Sequence, residues 1–173
     1  HINFGVVQGM MSTALSDNEL EPNGDAKPSP VQRVLIVDDS RLQRKILCSS
    51  VKRWGFEVYE AASGEEALDI CAALQPDLVL SDWMMPGMNG LEFCDAFRSL
   101  PGDRYGYFIL LTSKSEKDEV AMGLEAGADD FLTKPVDANE LRARITAGER
   151  IVQMQRELTE KNRLISETLD ELQ

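Results

Sequence analysis

Between residues 33 and 141, short apolar runs bounded by turn residues alternate with segments of helical period, and that alternation leaves few folds open. Val34-Leu35-Ile36-Val37, Leu78-Val79-Leu80, Tyr107-Phe108-Ile109-Leu110-Leu111 and Phe131-Leu132 are continuous apolar runs, as strands buried on both faces require. Phe56-Glu57-Val58-Tyr59 alternates and reads as a weaker, edge-like strand. Leu42, Ile46, Val51 and Trp54 mark the first helix, and Ala67, Leu68, Cys71 and Leu74 the second. Leu91, Cys94 and Phe97 mark the third, and Val120, Leu124 and Ala128 the fourth. Ser40 with Gln43, Ser63 with Glu66, Asn89 with Glu92, Ser115 with Asp118, and Asp137 with Glu140 have capping-box spacing or a close variant. Gly55, Pro76 and Gly127 stand where helices should stop. Strand and helix alternating five times predict an α/β fold, a doubly wound parallel sheet with helices on both faces.

Charge narrows the partners. The 173 residues carry a formal net charge of -12, of which -3 lies in residues 1–30, -9 in residues 31–141 and none in residues 142–173. Such a balance argues against a surface built for nucleic-acid phosphates and against a polybasic membrane patch, so neither partner is expected. No apolar run approaches the roughly 18 residues of a membrane span. His1 is no basic leader, and Gly5 and Gly9 interrupt the apolar residues that follow, which speaks against a secretory signal. Residues 1–30 have linker composition and read as a mobile arm, with a folded domain over 31–148. Cys48, Cys71 and Cys94 lie on the apolar sides of three helices and have no metal-ligand spacing. They read as inert buried thiols in a reduced, cytoplasmic protein.

In a doubly wound sheet, functional groups collect at the carboxyl ends of the strands. Asp38 and Asp39 end the first strand, Asp82 the third, Thr112 the fourth and Lys134 the fifth. Any one of these aspartates alone would be an ordinary cap or turn former. Together they are three crowded carboxylates, which repel unless a cation neutralises them. Hard oxygen ligands with room for water suit magnesium. Lys134 adds a positive charge and Thr112 a hydroxyl, so a phosphoryl group could be transferred to a carboxylate and its charge stabilised. Asp82, central on the third strand, is the natural nucleophile.

Val34 to Ser40 (VLIVDDS), Ser81 to Gly90 (SDWMMPGMNG), Leu111-Thr112-Ser113 and Phe131 to Pro135 (FLTKP) resemble the receiver domain of two-component response regulators. The stretch around SDWMMP is particularly similar to the chemotaxis regulator. The resemblance implies a flavodoxin-like sheet of order 2-1-3-4-5. It also implies that Asp82 takes a phosphoryl group from a histidine kinase or a histidine phosphotransfer protein. Magnesium would be bound directly by Asp39, Asp82 and the backbone carbonyl of Met84, and by Asp38 through water. Thr112 and Lys134 would contact the phosphoryl oxygens, and Lys134-Pro135 would be cis. The family couples the hydroxyl at Thr112 to an aromatic residue, here Phe131, for which plain core packing is the alternative. A moving Phe131 would alter the face formed by the fourth helix, fifth strand and fifth helix. Asn89 and Tyr107 depart from common family residues, and Trp83 after the acceptor bears on the lifetime of the acyl phosphate.

The helical pattern runs on to Gln173 with no proline and one glycine, Gly148, a rod too long to pack on so small a domain. Ile151, Leu158, Ile165 and Leu172 recur every seven residues, which places Gln155, Asn162 and Leu169 at the companion core position. A polar residue such as Asn162 there favours a two-stranded parallel coil. Residues 149–173 therefore read as a dimeric signalling helix cut off before an output domain, of the kind that precedes a diguanylate cyclase or a PP2C-like phosphatase. Two other readings compete. One is a magnesium-dependent phosphatase with an aspartate nucleophile, disfavoured because Asp38-Asp39 is not its Asp-x-Asp pair. The other is a receiver-shaped scaffold that is never phosphorylated.

Overall fold

A computed structural model describes residues 31–102, 104–113 and 120–173, without the side chains of residues 120–122. The arm read over 1–30 and the Ser115–Asp118 cap lie outside the described residues. The elements run β1 (Arg33–Val37), α1 (Arg41–Arg53), β2 (Glu57–Ala61), α2 (Gly64–Leu74), β3 (Leu78–Asp82), α3 (Gly90–Arg98), β4 (Tyr107–Thr112), α4 (Val120–Glu125), β5 (Asp130–Thr133) and α5 (Ala138–Glu171). All five strands are parallel in the order β2-β1-β3-β4-β5, the expected doubly wound arrangement.

The local signals act as read. Ser40, Ser63, Asn89 and Asp137 each accept a hydrogen bond from the backbone N–H three residues on, and Asn89 with Glu92 forms a complete capping box. Before Pro76, Gln75 takes a left-handed conformation and ends α2. Strands β1, β3 and β4 are buried almost throughout, because both faces are covered. One apolar layer joins Val34, Ile36, Leu80, Ile109 and Leu132 to α1 and α5. The other joins Leu35, Val37, Val79, Phe108 and Leu110 to α2 and α3.

Helix α1 corrects the sequence reading of its inward face. Leu42 and Ile46 are 71% and 59% exposed, whereas Val51 and Cys48 are buried as expected, with Leu47 beside them and Trp54 packed against the core. Helix α5 is one continuous helix of 34 residues, about 51 Å long at 1.5 Å per residue. It is not a free rod from Gly148 onward. Leu141, Ile145, Gly148 and Val152 are buried, and Arg156 reaches back to Asp77 at 2.8 Å. Beyond that turn, Leu158, Ile165, Leu169 and Leu172 stand exposed, as does Ile151 just before it. Among the described residues, no helix is long and apolar enough to cross a membrane.

Candidate functional site

Parallel pairing brings the ends of β1, β3 and β4 to one edge. Val37 lies beside Ser81 and Asp82 beside Leu111, so Asp38, Asp82 and Thr112 meet at that edge. Oxygen atoms of Asp38, Asp39 and Asp82 all lie within 4.8 Å of one another. Asp38 and Asp82 are buried and Asp39 is exposed. Thr112 is buried at the end of β4, and its carbonyl accepts from the Lys134 N–H at 2.7 Å.

Lys134 closes the cluster. Its Nζ lies 2.7 Å from Asp82 Oδ1 and 4.0 Å from Asp38 Oδ2, and it donates to Gln43 Oε1 at 3.2 Å. The Lys134-Pro135 peptide is cis, as expected. Pro135 lines a cavity of about 230 Å³ with Asp38, Lys134, Ile46, Leu47 and Val136.

Asp38 is held on one side only. Its Oδ1 accepts from the Ser40 N–H at 2.9 Å, whereas Oδ2 is buried without a hydrogen-bond partner. Burial raises the pKa of the Asp38 carboxyl above its ordinary 3.8. The Ser40 N–H and Lys134 oppose that rise, and the charges of Asp82 and Asp39 reinforce it. A buried carboxylate oxygen without a hydrogen bond, beside two more carboxylates, is a donor set that could hold a hard cation.

The backbone behind Asp82 is tightly packed. Gly90 donates to the Trp83 carbonyl at 2.7 Å, and Trp83 donates to the Leu111 carbonyl at 3.1 Å. Trp83 is buried and stacks on Phe131, with ring centroids 6.4 Å apart. Phe131 also lies against Gly123, where a Cβ would meet its ring at 2.7 Å. Met84 is exposed and Met85 buried. The three cysteines are buried and free, with thiol pKa values pushed up by burial to about 11 for Cys48 and about 12 for Cys71 and Cys94. Thiols so poor in thiolate are inert at neutral pH.

The response regulator receiver domain model matches residues 34–146. The chain belongs to the response regulator receiver family. It is similar to the DNA-binding response regulator MtrA of Mycobacterium tuberculosis, 40% identical over 116 residues, covering 67% of this chain and 50% of that protein. The chain thus spans about half the length of the curated relatives it matches. Among solved structures, a putative response regulator from Chloroflexus aurantiacus is 33% identical with a TM-score of 0.66, covering 69% of this chain and 98% of that one. A probable two-component system response regulator/GGDEF domain protein is 27% identical with a TM-score of 0.67, covering 72% of this chain and 52% of that one.

Two parts of the receiver escaped the sequence reading. Arg44 and Glu60 pair beneath the site, and Asp77 joins Arg104 and Arg156 at the far edge of the sheet. Each pair spans elements that only the fold makes neighbours, so no local spacing marks it.

Proposed function

We propose that Asp82 accepts a phosphoryl group from a histidine kinase or a histidine phosphotransfer protein, and that the change is passed through α5 to an effector. The observation that carries this is Lys134 Nζ at 2.7 Å from Asp82 Oδ1, inside a three-carboxylate cluster that holds the orphaned Asp38 Oδ2. An Asp82 oxygen attacks phosphorus, the bond from phosphorus to the donor imidazole breaks, and the product is an acyl phosphate. In this reading Lys134 neutralises charge on the transferring group, and Thr112 donates its hydroxyl to a phosphoryl oxygen. Asp38, Asp39, Asp82 and the Met84 carbonyl would hold a magnesium ion, whose charge offsets that of the phosphoryl oxygens when it is bound. Phe131, stacked on Trp83 beside the acceptor, is the aromatic group through which the site would reach the α4–β5–α5 face.

The test is incubation with a small phosphodonor and magnesium, read by intact mass. A single addition that vanishes in Asp82→Ala is expected. Multiple turnover of unrelated phosphoesters would instead support a phosphatase, and no addition at all would support a scaffold.

The exposed residues Ile151, Leu158, Ile165, Leu169 and Leu172, with Asn162 among them, form the seam of a parallel homodimer in this reading. The chain is expected to sediment as a dimer at micromolar concentration, and Ile165→Asp as a monomer. A wild-type monomer at that concentration would remove the seam from the proposal. A chain without nucleic-acid contacts is inferred for these 173 residues alone. The MtrA relatives are named DNA-binding, and half their length lies outside the match.

A further inference from the structure

Arg44 enters α1 one turn after the Ser40 cap, and its backbone N–H donates to the Ser40 carbonyl at 2.9 Å. Its side chain folds back beneath the site and is only 14% exposed. Nη1 donates to the backbone carbonyl of Asp38 at 2.7 Å, and Nε to Glu60 Oε1 at 3.1 Å. Lys45 holds the other Glu60 oxygen at 2.9 Å. The Asp38 N–H donates to the Ala61 carbonyl at 3.2 Å. The corner after β1 is thus strapped to the end of β2 twice, once through each backbone polar group of Asp38.

The strap has a consequence for Asp39. That residue is exposed, so packing does little to aim its carboxylate. Because the peptide unit is planar, fixing the Asp38 carbonyl fixes the plane that carries the Asp39 nitrogen, and so limits where its side chain can point. We infer that Arg44, held by Glu60, is a positioning residue that aims the Asp38–Asp39 corner at the cation and phosphoryl site. The inference rests on the phosphoacceptor reading above. Groups that orient metal ligands from behind commonly change affinity tenfold or more when removed.

Charge and geometry predict opposite signs here. Arg44 is a cation near three carboxylates, so if it acted by charge alone its removal would tighten the binding of a divalent cation. A positioning residue loosens binding when removed. Lysine keeps the charge but lacks the planar fork that reaches a carbonyl and a carboxylate together.

The experiment titrates magnesium chloride into the full chain at constant ionic strength, by calorimetry, with circular dichroism to establish folding. Arg44→Lys and Arg44→Gln are both expected to weaken magnesium binding ~10-fold. Glu60→Gln is expected to weaken it ~3-fold, and to add nothing in the Arg44→Gln background, because the pair acts as one unit. In phosphorylation by a small phosphodonor, saturating magnesium should restore the rate in Arg44→Lys. Magnesium binding in Arg44→Lys equal to wild type, or tighter in Arg44→Gln, would overturn the inference while leaving the phosphoacceptor reading intact. Should Arg44 variants not fold, an unchanged affinity in Glu60→Gln overturns it equally. A wild-type chain that binds no magnesium and takes no phosphate would overturn both.

Discussion

Gly90→Ala is expected to destabilise the domain by about 3 kcal/mol and to slow phosphoryl acceptance at Asp82, though it adds one methyl group. Gly90 is the first residue of α3, where alanine would ordinarily gain up to about 1 kcal/mol over glycine. Space decides against it. A Cβ there would lie 2.2 Å from the Asp82 carbonyl oxygen and 2.9 Å from the Trp83 Cα. Both neighbours are backbone, so no flexible side chain can swing aside. Relief requires α3 to move off the end of β3, which would stretch the 2.7 Å bond from Gly90 to the Trp83 carbonyl. The residues displaced are Asp82, the proposed acceptor, and the tryptophan that stacks on Phe131, so stability and phosphorylation should fall together. Urea unfolding measures the first and phosphodonor incorporation the second. A stability equal to or above wild type would show that the corner yields at little cost.

The parts of this molecule visible in the sequence are those set by short-range chemistry. Capping residues, strand runs and the polar residues ending those runs act within a few positions, and parallel topology carries Asp38, Asp82, Thr112 and Lys134 to one edge. Helix orientation was less visible. Leu42 and Ile46 have the same helical spacing as Val51, but the sheet lies under Val51 and Cys48 with Leu47 and leaves those two exposed. An apolar stripe on a helix with two candidate faces does not say which one the sheet takes. Gly148 is a lone glycine in a long helix, and the sequence does not say why it is there. In the fold it is a contact, since a Cβ there would meet the Tyr107 ring at 2.7 Å, and glycine lets α5 lie close to β4. The supports behind the site are the least visible. Arg44 and Glu60 are 16 residues apart and Asp77 and Arg156 are 79, so their pairing depends on the completed fold.

That last pair supports the second large prediction. Asp77→Ala is expected to cost about 3 kcal/mol at neutral pH and to loosen α5 beyond Val152. Asp77 is buried at the start of β3, where Oδ2 accepts from the Gln32 and Arg33 N–H groups, each at 2.9 Å. Oδ1 meets Arg104 and Arg156 at 2.8 Å. Arg104 is half exposed and contributes little, so the cost falls mainly on Arg156 and the two backbone donors left without an acceptor. Burial alone would raise the Asp77 pKa, but the Arg33 and Gln32 donors and the two guanidinium groups outweigh it and hold the carboxyl below its ordinary 3.8. A carboxyl depressed in the folded state stabilises above its unfolded pKa, and that contribution is lost as pH falls through the folded value. The gap between wild type and Asp77→Ala should therefore be full at pH 7 and narrow below pH 3.8. Urea unfolding at several pH values tests the gap, and hydrogen exchange over residues 152–160 tests the loosening of α5. A gap that stays constant in acid would assign the cost to lost volume. Unchanged exchange in that segment would mean that Arg156 does not tether the helix.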